Sequence, residues 1–180
     1  MKEAMETKGP SKERKAVRDI ALMGAMLALL FAGKRALDML PNVELVTLFF
    51  MLFARHFGKK TYPVCLGFTA LEALLFGLQV WVVMYLYMWP LLVTLVLILN
   101  RKEIPLWGYS ILSALFGLFF GAFCAIPYLF IGGFSMALAW WISGIPYDLV
   151  HCVANLVIAL VLFPPLDKAL FRIRETLELG

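Results

Sequence analysis

Six apolar runs, the first two of them short, divide this chain, and they constrain its fold more than any other feature. About 20 apolar residues in a helix cross the roughly 30 Å of hydrocarbon in a bilayer, where the backbone must satisfy its own hydrogen bonds. A water-soluble domain of 180 residues would not need 63% hydrophobic residues. The sequence therefore predicts an all-α membrane protein with six transmembrane helices. The runs cover about 19–32 (an extension to 40 is left open), 43–57, 62–78, 81–99, 107–131 and 145–163.

The basic residues determine the predicted orientation. Fourteen of the sixteen Lys and Arg residues fall in segments that six spans place on one side of the membrane, whereas Lys34 and Arg35 fall on the other side. Positive charge concentrates on the cytoplasmic side, so both termini are predicted to be cytoplasmic. The fourteen are Lys2, Lys8, Lys12, Arg14, Lys15, Arg18, Arg55, Lys59, Lys60, Arg101, Lys102, Lys168, Arg172 and Arg174.

Three parts are predicted along the chain. Residues 1–18 form a cytoplasmic basic tail, 19–165 a six-helix transmembrane domain, and 166–180 a cytoplasmic C-terminal tail. Residues 1–15 hold too few apolar groups to order themselves, so a flexible segment is expected there. No small-residue cleavage site follows the first apolar run, and no cleavable signal peptide is predicted.

Two of the apolar runs carry stripes of small residues at helical spacing. Small side chains let a second helix backbone approach closely, which drives helix association in lipid. One stripe is enough to pack a small bundle, so two stripes favour, weakly, a face for a second protein. Internal packing of both stripes remains the alternative. The stripes are Ala21, Ala25, Ala28 and Ala32 in the first run, and Ser113, Gly117, Gly121 and Ala125 in the fifth.

Polar residues inside the apolar runs mark candidate sites, because a charge at the bilayer centre costs about 2.5–3.5 kcal/mol. Glu72 lies in the middle of the third run with no basic residue within a turn along the chain. It is expected to be protonated, to form hydrogen bonds across helices, or to line a cavity. In the sixth run Asp148, His151 and Asn155 share one helical face, and Pro146 just before them fits the first turn of a helix.

Aromatic residues concentrate in the outer half of the fourth run. Trp81, Tyr85 and Trp89 recur every four residues, and Trp89 lies about 12 Å deeper than an interfacial Trp81. Pro90 is expected to break the helix locally, as happens beside cavities. Aromatic walls with a few fixed polar groups are typical of a pocket for a flat, partly apolar molecule. Trp140 and Trp141, and the loop residues Asn42 and Glu44, belong to the same candidate site.

The sequence lacks the motifs of several enzyme classes. It has no Walker A sequence, no H-E-x-x-H and no G-x-S-x-G, so no enzyme activity, cofactor or metal is predicted. The three cysteines are scattered through the apolar runs without a C-x-x-C pair, which argues against a disulfide framework or a thiolate metal site. A polar and aromatic cavity facing outward, without an energy-transducing motif, indicates a receptor or a subunit of a larger assembly.

Two local patterns give the chain a family resemblance. Ala21 and Ala25, echoed by Ala28 and Ala32, form an A-x-x-x-A pattern, and a second stretch runs from Trp140-Trp141 through Gly144 to Asp148, His151 and Asn155. With six short spans and both termini inside, the chain resembles a substrate-binding S component of an energy-coupling factor (ECF) transporter, in the vitamin-uptake branch of the ABC systems. The resemblance covers nearly the whole chain.

The resemblance implies a mechanism and a set of partners. An S component of a prokaryotic plasma membrane captures a small, vitamin-like substrate at the outer face. It then topples on a transmembrane coupling subunit that two ATPase subunits drive. Lipid surrounds it, and no nucleic acid takes part. The predicted substrate-binding residues are Asn42, Glu44, Glu72, Trp81, Tyr85, Trp89, Trp140, Trp141, Asp148, His151 and Asn155; the predicted partner face is Ala21, Ala25, Ala28 and Ala32.

The resemblance does not extend to a particular substrate. No N-terminal His motif of the nickel and cobalt members is present, and the thiamine, riboflavin and biotin signatures do not match. A ring-bearing ligand is expected from the aromatic fourth run. The alternative is an MreD-like six-span scaffold of cell-wall synthesis, which needs no cavity. A small intramembrane enzyme with Glu72 or His151 as its acid–base group is a third interpretation, but no nucleophile or metal set supports it.

Overall fold

The computed structural model describes residues 11–179, with the side chains of 11–177, and this part of the chain is mostly helical and contains no strand. The all-α prediction is therefore confirmed. Lys2 and Lys8 lie outside the described residues. The helices are α1 (Lys12–Ala36), α2 (Val46–Phe57), α3 (Thr61–Phe76), α4 (Val80–Asn100), α5 (Leu106–Leu118), α6 (Phe120–Cys124) and α7 (Ile126–Leu179), with a 3₁₀ turn at Gly58–Lys60.

Three of the described helices are long and apolar enough to cross a membrane. They are α1, α4 and most of α7, and α5 is a shorter apolar helix of 13 residues. The helix α2 lies at the centre of the molecule, because nine of its twelve residues are buried and it contacts α1, α3, α4, α5 and α7. At about 1.5 Å per residue it is only about 18 Å long. The molecule is thus a helical protein whose long apolar helices are compatible with a membrane.

The first helix begins earlier than the sequence predicts. A flexible segment was expected up to residue 15, but α1 is helical from Lys12. The side chain of Ser11 accepts a hydrogen bond from the backbone N–H of Arg14 at 3.3 Å, and Glu13 lies in the first turn. Such a cap satisfies a backbone donor that would otherwise lack a partner, so it stabilises helix in a polar segment.

The fifth and sixth predicted spans differ from the helices observed. Residues 107–131 are divided among α5, α6 and the start of α7, and the expected outer loop over 132–144 is only a break at Gly132 and Gly133. Gly133 has φ +75°, a backbone conformation that favours glycine. The helix resumes at once, so Pro146 lies inside α7 rather than in its first turn, and the prediction of a helix start there is wrong.

Proline does not interrupt α4 either. The helix continues through Pro90, where the sequence predicts a local break. Thr94 donates its hydroxyl hydrogen to the carbonyl oxygen of Pro90 at 2.7 Å, and the hydroxyl of Tyr62 lies 2.8 Å from the hydroxyl of Thr94. The bond from Thr94 is the one that a threonine side chain commonly forms to the carbonyl oxygen four residues earlier in a helix.

The two small-residue stripes have different surroundings. Ser113, Gly117, Gly121 and Ala125 are all buried, and the contact between α5 and α7 is the most extensive between any two described helices. A Cβ atom at Gly117 would lie 2.9 Å from the carbonyl carbon of His151, so the two backbones pack directly against each other. The stripe of the fifth run is therefore an internal packing face. The stripe of the first run is exposed along its whole length at Ala21, Ala25, Ala28 and Ala32.

Four segments rich in basic residues meet at one end of the molecule. Arg55 Nε, at the end of α2, contacts Asp167 Oδ1 of α7 at 2.7 Å, and Lys60 Nζ contacts Asp19 Oδ1 of α1 at 2.6 Å. Asn100, at the end of α4, donates to the carbonyl oxygen of Arg55 at 3.3 Å. This end is the one that the charge distribution predicts to face the cytoplasm.

The close packing of α5 on α7 predicts a glycine requirement. We expect Gly117→Ala to lower the free energy of unfolding in detergent by about 1–3 kcal/mol, because the new methyl group meets backbone that must shift. Gly24→Ala is the matched control, since its added Cβ would meet no side chain and no other helix within 4 Å. It should leave stability unchanged or raise it by up to about 1 kcal/mol. Equal effects of the two substitutions would contradict the described contact.

Candidate ligand-binding site

A groove lies where α6, α7 and the loop between α1 and α2 come together. Its volume is about 410 Å³, within the range of small-molecule sites. The loop residue Asn42 has φ 58°, a left-handed conformation that asparagine tolerates better than most residues. The groove is lined by Asn42, Phe120, Gly121, Cys124, Trp140, Ser143, Gly144, Tyr147 and Asp148. Three of the predicted site residues, Asn42, Trp140 and Asp148, therefore line one cavity.

Asp148 is anchored to the backbone of α6. Its Oδ1 accepts a hydrogen bond from the N–H of Gly121 at 2.9 Å, whereas its Oδ2 is buried and has no hydrogen-bond partner. A methyl group at Gly121 would overlap this carboxylate, so only glycine permits the contact. The side chain is 6% exposed and borders the groove. One carboxylate oxygen thus holds the helices together, and the other remains available to a donor.

His151 lies one turn further along α7 and joins it to the loop before α2. Its Nε2 donates to Glu44 Oε1 at 3.3 Å, and the backbone N–H of Thr47 donates to Glu44 Oε2 at 2.8 Å. Glu44 precedes α2 and lies outside the helices. Burial raises the pKa of its carboxyl, but the hydrogen bonds from His151 and Thr47 outweigh burial, so the pKa is below its ordinary value. Glu44 is consequently a carboxylate at neutral pH.

Asn155 completes the polar face of α7 but does not reach the groove. It is 1% exposed, and its Nδ2 donates to the carbonyl oxygen of Ser113 on α5 at 3.4 Å. The polar face of α7 is thus packed against α5, α6 and the first loop along most of its length. Space for a ligand exists at its Asp148 end.

The aromatic residues of α4 are in the packed core. Trp89 is 2% exposed, and its ring centroid lies 5.0 Å from that of Phe50, 5.2 Å from Tyr85, and 6.2 Å from both Phe68 and Phe120. Its Nε1 is buried without a hydrogen-bond partner. Rings at these distances fill the space around one another. The role of Trp89 in ligand binding therefore stays a prediction, and the described geometry is that of a core residue.

Glu72 is fully buried and belongs to a charged cluster beside these rings. Its Oε2 lies 2.5 Å from Lys34 Nζ, and its Oε1 lies 3.4 Å from Arg35 Nη2. Lys34 Nζ also donates to the hydroxyl of Tyr85 at 3.2 Å and lies 4.9 Å from the ring centroid of Trp81. Of the three roles expected for Glu72, the structure therefore favours hydrogen bonding across helices. A buried carboxylate is tolerated because two cations from the last turn of α1 compensate it.

The predicted site residues form two clusters instead of one. Asn42, Trp140 and Asp148 line the groove. Glu44 and His151 lie beside it and are hydrogen-bonded to each other. Glu72, Trp81, Tyr85 and Trp89 form the second cluster, between α1, α3 and α4. Trp141 belongs to neither cluster, because it lines a separate apolar groove of about 260 Å³ with Phe134 and Ala137.

Phe120 connects the two clusters, and sequence reasoning missed it. Its ring centroid lies 4.9 Å from that of His151 and 6.2 Å from that of Trp89. Tyr128, which stacks on Trp140 at 5.0 Å, and Tyr147 in the groove wall were missed as well. An aromatic residue in an apolar helix carries no signal of its own in the sequence. Their sequence separation from Asp148 would have indicated that these aromatic residues lie near the groove only if the course of α6 had been known.

Comparisons with known proteins add nothing to this geometry. Neither protein-family models, nor curated proteins, nor solved structures give a match to the chain. Among the described residues, no group of three or more His, Cys, Asp or Glu side chains is placed to hold a metal ion.

The ion cluster around Glu72 predicts a non-additive effect on stability. Glu72→Leu should lower the free energy of unfolding by about 3 kcal/mol, because it removes the buried carboxylate that compensates Lys34 and Arg35. Adding Lys34→Met should recover at least about 1 kcal/mol of that loss, which unfolding in detergent would measure. Asp19→Asn, in the more exposed pair with Lys60, is the control and should cost less than about 1 kcal/mol. Strictly additive losses in the double variant would contradict the described ion pair.

Proposed function

We propose that this chain is the substrate-binding S component of an ECF-type importer. In this proposal six spans cross a prokaryotic plasma membrane with both termini in the cytoplasm. The chain captures a small, ring-bearing vitamin or related micronutrient at its outer end. It delivers the substrate by toppling on a transmembrane coupling subunit driven by two ATPase subunits.

The observation that carries the proposal is the different exposure of the two small-residue stripes. The stripe of the fifth run is buried against α7, whereas Ala21, Ala25, Ala28 and Ala32 remain exposed on α1. A face of small residues is suited to close contact with another helix in lipid. Internal packing therefore does not account for the α1 stripe, and a helix of a coupling subunit is the occupant that the family resemblance implies.

The position of the groove supports the same proposal. The groove lies at the end of the molecule that carries Lys34 and Arg35, opposite the end where most basic residues meet. By the positive-inside rule the groove end faces outward. The short helix α2 fits a six-span arrangement, because the surrounding helices shield it from lipid and it need not match the full hydrocarbon thickness.

A structural scaffold of the MreD-like kind is the second candidate. The packing of Trp89 among other rings and the compensation of Glu72 by two cations favour it, because neither residue is free to contact a ligand. A scaffold, however, gives no reason for a groove of about 410 Å³ beside an unpartnered carboxylate oxygen.

Purification of the tagged chain from its native membranes tests the proposal. We expect a transmembrane coupling subunit and two ATPase subunits to be recovered with it. Ala25→Trp should lower that recovery by about tenfold, which corresponds to about 1.4 kcal/mol of binding free energy. The bulky ring would prevent close approach of a partner helix to α1.

Val161→Trp is the matched control, because Val161 is 64% exposed on α7, a different helix from the one that carries the alanine stripe. It should leave recovery of the coupling subunit unchanged. Recovery of cell-wall synthesis factors in place of ATPases would favour the scaffold. Equal recovery with Ala25→Trp and with the unmodified chain would contradict a docking role of α1.

A further inference from the structure

The groove contains a buried acceptor that nothing in the described part of the chain satisfies. Asp148 Oδ2 is buried and lacks a hydrogen-bond partner, while Oδ1 of the same carboxylate is held by Gly121 N–H at 2.9 Å. Folded proteins satisfy nearly all buried polar groups, so an exception beside a cavity calls for a donor from outside the chain. Asp148 cannot turn away, because the backbone of Gly121 fixes it.

Asp148 is the one charged residue among the described residues that line the groove. No Lys or Arg is among the residues that line the groove. Glu44 adds a second carboxylate nearby, which reaches α7 through His151. Lys34 and Arg35 pair with Glu72 in the other cluster and do not line the groove. An anionic ligand would meet repulsion here, whereas a cationic nitrogen would meet attraction in a setting of low dielectric.

The walls of the groove are aromatic. Trp140 lies against Tyr128 with ring centroids 5.0 Å apart, and Phe120 and Tyr147 complete the walls. Aromatic faces stabilise flat rings by stacking and stabilise cations through the ring quadrupole. Asn42 supplies an amide from the first loop. The groove thus combines ring surfaces with one strong acceptor.

We propose that the substrate of this groove is a ring-bearing molecule that donates an N–H, on a positively charged nitrogen or an amide, to Asp148 Oδ2. This inference rests on the proposed function and specifies the class of substrate that the S component captures. A carboxylate accepts such a bond more strongly than a neutral oxygen does, and a cationic donor strengthens it again. Ligands whose only charge is negative are excluded.

Three indole probes of similar size test the charge preference. Tryptamine is a cation, indole-3-acetamide a neutral N–H donor, and indole-3-acetate an anion at pH 7. Calorimetric titration of the detergent-purified full chain, with an empty-micelle titration subtracted, should rank them in that order. We expect tryptamine to bind at least about tenfold more tightly than indole-3-acetate. Equal or tighter binding of the anion, or no binding of any probe, would overturn the inference.

Asp148→Asn tests the atom itself. Asparagine can still accept from Gly121 N–H but presents an NH₂ group where Oδ2 was. The advantage of tryptamine over indole-3-acetate should then fall to about threefold or less. The matched control is Asp38→Asn, which removes a carboxylate from the first loop outside the groove lining and should keep the full preference. An unchanged preference in Asp148→Asn would overturn the inference.

The probe titration and the recovery of partner subunits give independent results. The probe ranking in the unmodified chain is independent of any variant, so it decides the matter even if Asp148→Asn does not fold. Recovery of a coupling subunit together with preference for the anion would refute the substrate class and leave the importer assignment standing. The expected ranking without a coupling subunit or ATPases would refute the importer and leave a cation-selective groove.

Discussion

The close approach of α5 and α6 to α7 is the contact on which the rest of the structure depends. Gly117 brings the backbones into direct contact at His151, and Gly121 lets the carboxylate of Asp148 reach the N–H at the start of α6. Larger side chains at either glycine would separate the helices. The position of Phe120 against His151, and with it the wall of the groove, follows from this approach.

A second constraint divides the end of the molecule that carries Lys34 and Arg35 into two regions of different chemistry. The ion cluster of Lys34, Arg35 and Glu72 ties α1 to α3 and is surrounded by rings. Glu72 pairs with both cations and Asp38 pairs with Arg35, so the charges of that region compensate one another. The groove is lined by the carboxylate of Asp148 and, within residues 11–177, by no Lys or Arg. The asymmetry explains why binding is proposed at α7 and not at the more aromatic α4.

The sequence contained the helical fold and the polar positions, but it did not reveal which side chains meet. Run lengths predicted helices close to α3 and α4, because apolar length measures helix length directly in a membrane protein. They failed at Pro146 and at 132–144, because only the positive φ of Gly133 shows where α7 breaks. Glycine spacing showed a packing face on α5, but its partner α7 is a property of the tertiary fold.

The candidate site was predictable only in part, because the sequence shows the polar positions but not their contacts. Asp148 was recognisable as a polar residue in an apolar run and Asn42 as a member of the polar first loop, and the structure places both at the groove. Glu72 had the same signal in the sequence, but its partners Lys34 and Arg35 lie 38 and 37 residues away along the chain. Long-range compensation of this kind has no local signature. Only the folded structure shows whether a buried charge is compensated by other residues of the chain.

The central claim is that the groove beside Asp148 holds a small molecule in the living cell. Native mass spectrometry of the chain purified gently from its own membranes would test it most directly. The account predicts a bound ring-bearing compound with an N–H donor, retained by Ala25→Trp and lost from Asp148→Asn. A compound that remains on Asp148→Asn, or one that carries only negative charge, would contradict the account.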